Sequence, residues 1–217
     1  IVTALAVLPM LQVGGMQLFR MESSDRSDKA LPRAAQLAAW IAALYLGLTL
    51  AWSLMLWIAG MSLFDAVAHA MTTIATGGFS TSDKSIGAYP DPAIHWIITL
   101  GMIAGSLPFA LYMLAARGNP KPLLQDTQVR WFLCTLGVII AGMAGGQLLF
   151  TEENFSTALH LSAFNATSIM TGTGYATSEY DHWGSFAPAM FFVIMFIGGC
   201  AGSTTCRIKI FRFQILF

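Results

Sequence analysis

The sequence predicts an all-α polytopic membrane protein with two complete repeats, each a membrane helix, a short helix, a glycine-bearing loop and a second membrane helix. Three observations predict it. The 217 residues are 56% hydrophobic and only 10% charged, with a mean hydropathy of +0.65, whereas a soluble domain carries about 25% charged residues. Several stretches stay free of charge over the roughly 20 residues that cross a ~30 Å hydrocarbon core. One unusual stretch also occurs twice, as Thr72-Thr73-Ile74-Ala75-Thr76-Gly77-Gly78-Phe79-Ser80-Thr81 and as Thr167-Ser168-Ile169-Met170-Thr171-Gly172-Thr173-Gly174-Tyr175-Ala176-Thr177. Ile74 aligns with Ile169 at an offset of 95 and Gly78 with Gly174 at 96, which implies one inserted residue between the copies. Net charge is zero, so no bulk attraction for nucleic acid or acidic substrates is expected.

Residues 1–19 are apolar but short for a span and read as the tail of one. The chain opens inside this run at Ile1, without an initiator methionine or a signal-peptide n-region, and closes at Phe217 after an apolar helix; it reads as an internal piece of a larger membrane protein. A polar loop follows at 20–33, then a charge-free span at 36–59. Residues 62–74 are too few to span; Ser62 can cap a short helix there, and Asp65 in its first turn complements the helix dipole. Such a helix running into a glycine loop is tolerated at membrane depth only where protein or a water-filled path surrounds it. Pro92 after Asp91 is a good helix start, and 92–116 is the second span, kinked at Pro108. After a basic loop at 117–130 the plan repeats: a span at 131–150, a short helix at 154–169, the glycine loop at 171–177, a polar turn, and a last span beginning at 186–197. That span is interrupted by Gly198-Gly199-Cys200-Ala201-Gly202-Ser203-Thr204 and resumes toward Arg207, Lys209 and Arg212. Cys134, Cys200 and Cys206 form no CxxC pair and are expected to be buried small apolar residues; a zinc site at Cys200 and Cys206 lacks further ligands.

The two loops have the form x-Gly-aromatic, Gly77-Gly78-Phe79 and Thr173-Gly174-Tyr175. Glycine tolerates the dihedrals needed to turn backbone carbonyls toward a cation. Ten of the eleven Lys and Arg residues lie in 20–33, 117–130 and 207–212, with only Lys84 elsewhere. Those basic segments are expected on the cytoplasmic side. The glycine loops then open outward, among Asp65, Asp83, Asp91, Glu152, Glu153, Glu179 and Asp181, a negative vestibule that concentrates cations.

These motifs, Ala75-Thr76-Gly77-Gly78-Phe79-Ser80-Thr81, Gly172-Thr173-Gly174-Tyr175-Ala176-Thr177 and the 198–204 break, resemble the Trk/Ktr/HKT superfamily of potassium transporters, with the bacterial Trk-type pore subunit the nearest match. Leu8-Pro9-Met10 through Gly14-Gly15-Met16-Gln17-Leu18 resembles the end of that family's first repeat. The resemblance implies K+-channel-like units of membrane helix, pore helix, filter loop and membrane helix, four of them around one pore. Residues 1–19 would end the first repeat's inner helix, 20–35 would be a cytoplasmic loop, and 36–117 the second repeat. A further cytoplasmic loop would occupy 118–130, and 131–217 would be the third repeat with its broken inner helix. It implies K+ uptake across the bacterial inner membrane, with Na+ as a competing ion, and no enzymatic activity. The filter carbonyls would come from Thr76, Gly77, Gly78, Gly172, Thr173 and Gly174. The gate beneath them would be Gly198, Gly199, Cys200, Ala201, Gly202, Ser203 and Thr204. A homodimer and a cytosolic nucleotide-binding regulatory subunit are further implications. The family usually continues the gating loop with glycines before an Ile-Lys pair, whereas here Thr205-Cys206-Arg207 precedes Ile208-Lys209.

Phe79 and Tyr175 are expected to anchor the filter by packing rather than touch the ion, and His69 and Asn165 to be hydrogen-bonded supports. Helix propensity falls by up to ~1 kcal/mol per glycine relative to alanine, so the 198–204 backbone should leave the helix. Its freed polar groups should face the pore, and few packing contacts should hold it, as suits a gate. Two alternatives differ in class. One is a membrane-embedded hydrolase using Ser203, for which no histidine stands at suitable spacing. The other is a non-conducting remnant or interaction module with this fold.

Overall fold

The computed structural model describes residues 34–150, 154–178, 183–184 and 186–216. The expectations for 1–19 and 20–33, and the acidic residues Glu152, Glu153, Glu179 and Asp181, lie outside them. Among the described residues the structure is helical, and its only extended pairing is an isolated parallel bridge between Ile197 and Ile208.

The first unit begins with α1 (Ala34–Ile58), a charge-free helix that turns off at Gly60 (φ 102°). Next is α2 (Leu63–Ile74), capped reciprocally: Ser62 Oγ accepts from the Asp65 amide at 3.1 Å and donates to Asp65 Oδ2 at 2.7 Å. Its buried residues, Ala66, His69, Ala70, Thr73 and Ile74, follow helical spacing and fix the face turned inward. Asp91 Oδ1 accepts from the Ala93 amide at 2.8 Å and Pro92 fills the first position of α3 (Pro92–Gly105).

The kink expected at Pro108 is instead a full break. α3 and α4 (Phe109–Ala116) form two helices bent by 98°, far beyond an ordinary proline kink. Proline disfavours helical geometry at Leu107. The first amide beyond it, Phe109 N, donates to Gly202 O at 3.0 Å in the distant glycine-rich segment, so the bend is stabilised from outside.

The expected loop at 117–130 contains a short helix, α5 (Lys121–Gln125). Asp126 then caps α6 (Thr127–Phe150), its Oδ1 accepting from the Gln128 and Val129 amides at 2.9 and 3.1 Å. That cap starts the span four residues earlier than the apolar pattern does. The second short helix is α7 (Phe155–Thr171), closed by Gly172 at φ 76°. α8 (Phe186–Ile194) ends before the glycine break and α9 (Ile210–Leu216) follows it. By length and composition, Ala38–Ile58 and Thr127–Phe150 can each cross a membrane, and α3 with α4 makes a third crossing if the bent pair counts as one.

The units interlock. Phe164 and Tyr175 from the second are buried in the first unit's core with Leu56, Ile86, Ile98 and Met102. Helix association in lipid rests on close packing and hydrogen bonds rather than water exclusion, and Gly101 illustrates it. A Cβ there would stand 2.4 Å from Trp52 Nε1 and 2.6 Å from Thr73 Cγ2, so only glycine lets α3 approach α1 and α2. Of the cysteines, Cys200 is buried, but Cys134 and Cys206 are exposed. Cys134 lies on a span, where the face turned to lipid is as apolar as the face turned to protein, so apolar neighbours did not imply burial.

Candidate functional site

Each short helix delivers its chain into a glycine loop through the same hydrogen bonds. Thr72 Oγ1, in the last turn of α2, donates to Phe79 O at 2.9 Å, while Thr72 O accepts from the Gly77 and Gly78 amides at 2.7 and 3.4 Å. In the second unit Ser168 Oγ donates to Tyr175 O at 2.7 Å and Ser168 O accepts from the Gly174 amide at 3.2 Å. His69 and Asn165 are the expected supports. His69 donates from Nδ1 to Asp65 O (2.8 Å) and accepts at Nε2 from Ser80 Oγ (2.9 Å). Asn165 Nδ2 donates to Thr177 Oγ1 at 2.7 Å and its Oδ1 accepts from the Thr177 amide at 3.3 Å.

All these pairs (His69 with Asn165, Thr72 with Ser168, Gly78 with Gly174, Phe79 with Tyr175) stand at an offset of 96. The inserted residue inferred from Ile74 and Ile169 is therefore not there. Ile74 matches Met170, and both are fully buried.

The backbone reverses hand at alternate positions, with φ of 50° and 67° at Thr76 and Gly78 and of 76° and 86° at Gly172 and Gly174. Alternation of left- and right-handed residues gathers successive amides on one side and turns the carbonyls to the other. The Gly77 and Gly78 amides are taken by Thr72 O and the Gly174 amide by Ser168 O, while those of Thr76 and Gly172 go to Thr73 O and Ile169 O. Among the described residues, no hydrogen bond reaches the carbonyls of Thr76, Gly77, Gly78, Gly172, Thr173 or Gly174. No three His, Cys, Asp or Glu side chains converge among them either.

The two aromatic residues differ. Tyr175 is fully buried, and its hydroxyl lies 2.5 Å from Thr72 Oγ1 and 3.3 Å from His69 O, tying the second loop to the first short helix. Phe79 is 77% exposed; packing support of the kind expected for both is present at Tyr175 only.

The 198–204 segment leaves the helix as expected but is not loosely held. Its polar groups bond to protein. Cys200 N donates to Ser106 O (3.1 Å), Thr204 N to Gly105 O (3.1 Å), and Ala201 N to Gln128 Oε1 (3.2 Å). Thr204 Oγ1 sits 3.0 Å from Ile74 O, 2.9 Å from Gly105 O and 3.3 Å from Thr76 Oγ1. It thus links the end of α2, the α3 break and the first glycine loop. Cys200 is fully buried and Ala201 and Ser203 nearly so. The expectation of few contacts failed because the break in α3 frees backbone groups, Gly105 O, Ser106 O and Phe109 N, that this segment satisfies. Thr205 adds a clasp: its Oγ1 accepts from Gly199 N at 3.2 Å and lies 2.8 Å from Ser203 Oγ, and its carbonyl takes the Lys209 ammonium. Ser203 donates to Cys200 O at 2.7 Å. His160, the histidine considered for a hydrolase, is paired with His95 at 3.1 Å. Arg207 holds a left-handed φ of 77°, which costs a non-glycine residue about 1–2 kcal/mol.

The sequence reading missed Thr72 and Ser168, although the repeat carried a signal for them: hydroxyl residues at the offset that matches the glycines. It also missed Gln128 and Thr205, which no local pattern marks.

Short helices aimed at paired glycine loops, with a broken helix seated against them, define a membrane protein of the re-entrant-loop class. A family model described as TrkH, cation transport protein, matches residues 1–217, and the chain belongs to that family. It is 45% identical over 216 residues to the Trk system potassium uptake protein TrkI of Halomonas elongata, covering 99% of this chain and 44% of that protein. Against TrkH of Escherichia coli K12 the identity is 38% over 226 residues, covering 100% of this chain and 46% of that protein. The crystal structure of the potassium transporter TrkH from Vibrio parahaemolyticus superposes with a TM-score of 0.82 at 32% identity, over 99% of this chain and 44% of that one. The chain spans about half the length of the relatives it matches.

Proposed function

We propose that this chain supplies two adjacent sectors of a K+-uptake pore in a bacterial inner membrane. The carbonyls of Thr76, Gly77, Gly78, Gly172, Thr173 and Gly174 replace part of the ion's hydration shell, Tyr175 braces the second loop against the first unit, and 198–204 gates the path beneath. The observation that carries this reading is the set of six carbonyls without hydrogen-bond partners among the described residues, placed where two helices end. A helix C-terminus is the negative end of its dipole and favours a cation, and carbonyl rings of this kind select ions in channels. Conduction is passive and involves no covalent step. The basic loops face the cytoplasm and the glycine loops open outward. The assembled protein is a homodimer working with a cytosolic nucleotide-binding subunit.

The gate works as a latch. Thr204 joins α2, the α3 break and the first loop, so releasing 198–204 requires breaking several hydrogen bonds together, each worth about 1 kcal/mol. An effector that moves α8 or α9 supplies that work.

The test is Rb+ uptake and Na+ competition in the full-length transporter carrying this segment, with Gly78→Ser and Gly174→Ser. Both variants should lose preference for K+ over Na+, because a side chain must fit where the backbone turns left-handed. Unchanged selectivity in both removes these glycines from the filter.

A further inference from the structure

Below the second glycine loop, one cation stands where a permeating ion would be drawn. Arg207 follows the glycine-rich break in a left-handed conformation (φ 77°) that side-chain-bearing residues avoid. From there its guanidinium Nη1 donates to Ile169 O in the last turn of α7. The side chain also lies along Gly172, the residue that closes α7: a Cβ built there would stand 3.3 Å from Arg207 Nε and 3.8 Å from its Cζ. The last-turn carbonyls of α7 are the negative end of that helix, and a positive charge placed on them cancels the attraction they offer a second cation. The neighbouring cation, Lys209, is engaged elsewhere, by the Thr205 carbonyl and hydroxyl. Among the described residues no carboxylate pairs with Arg207. Among the described residues the other short helix has no such occupant: at its end Ile74 O accepts from the neutral Thr204 hydroxyl at 3.0 Å.

We propose that Arg207 is a tethered cation that competes with K+ for the inner end of the filter, lowering flux until the 198–207 segment moves. The proposal rests on the transport reading above. It explains why a strained backbone is held at this position, since a glycine would relieve the strain but leave the α7 terminus open to the ion.

The experiment measures Rb+ influx into proteoliposomes holding the full-length transporter, as wild type and as Arg207→Gln, Arg207→Glu, Arg207→Lys and Arg207→Gly. Monodispersity and melting temperature are recorded for each. Removing the charge in Arg207→Gln should raise influx by about fivefold or more, Arg207→Glu should raise it further, and Arg207→Lys should keep the low wild-type rate. Arg207→Gly relieves the strain and removes the charge together. It should match Arg207→Gln in flux while melting higher, and it decides the matter against Arg207→Lys if Arg207→Gln does not fold. Wild-type influx that Arg207→Gln and Arg207→Gly leave unchanged overturns the proposal and leaves the transport reading standing. A rise in Arg207→Lys equal to that in Arg207→Gln also overturns it, because charge is then not the agent. No influx from any of the five proteins, in vesicles that load Rb+ when gramicidin is added, overturns both.

Discussion

The two glycine loops share one hydrogen-bonding scheme, yet they occupy different surroundings. In the first, Gly78 is pressed against the other copy: a Cβ there would lie 1.8 Å from Thr173 O and 2.7 Å from Thr173 C. In the second, Gly174 has the same handedness but nothing within 4 Å of that position. The aromatic residues invert the relation, since Tyr175 is buried against α2 while Phe79 is exposed. Within this chain the aromatic residue of the second loop leans on the first unit, while that of the first loop packs on nothing described. The difference teaches that the scheme at each helix end is local, whereas the bracing by the aromatic residue depends on what the neighbouring unit offers it.

The largest test of this asymmetry is Gly78→Ala against Gly174→Ala. Both substitutions place a side chain at positive φ, which costs about 1–2 kcal/mol. Gly78→Ala must also displace the Thr173 backbone, so its total should reach ~3 kcal/mol or more. Melting temperatures of the full-length protein in detergent, with Rb+ uptake alongside, should show Gly78→Ala far more damaged. Equal losses would mean that the two loops do not meet as described.

A smaller effect tests the bracing. Tyr175→Phe keeps the ring and removes only the hydroxyl that lies 2.5 Å from Thr72 Oγ1, a loss of about 1 kcal/mol. Phe79→Ala, at an exposed position, should cost under about 0.5 kcal/mol. If Phe79→Ala proves the costlier, a surface outside this chain covers Phe79, and the leaning continues around the assembly.

Legibility followed the range of the interactions. The spans and the starts of α2 and α3 were readable because charge-free length and caps such as Ser62 with Asp65, or Asp91 with Pro92, act within one turn. The glycine loops were readable because the left-handed backbone at Gly78, Gly172 and Gly174 is one that glycine favours. The 98° break was not, since Pro108 announces a kink but the amide beyond it is satisfied by Gly202 O, from another unit. Nor was the tight seating of 198–204, whose partners Ser106, Gln128 and Ile74 are distant in sequence. The repeat offset was misread for a chemical reason. Identical isoleucines drew the alignment, whereas structural equivalence follows the hydrogen-bonding pairs and sets Ile74 against Met170. Burial of the cysteines was illegible because lipid and protein core select the same residues.

The smallest expected effect separates the two short helices by pH. Asp65 lies in the first turn of α2, while the first turn of α7 holds no acid. Hydrogen bonds from Thr81 (2.7 Å), then from Ser62 (2.7 Å), hold the Asp65 carboxyl below its ordinary value. Because the folded value is the lower one, the stabilisation is present in full above the unfolded carboxylate pKa of about 3.9. It is lost as pH falls through the folded value, where both states are protonated. Hydrogen exchange should therefore show α2 amides losing protection as pH falls from 5 toward 3, after correction for intrinsic exchange rates, while α7 amides change little. Asp65→Asn should flatten the α2 response, since its side chain still caps but no longer titrates. A matching loss in α7, or a pH response surviving in Asp65→Asn, would place the titrating group elsewhere and dissolve this difference between the units.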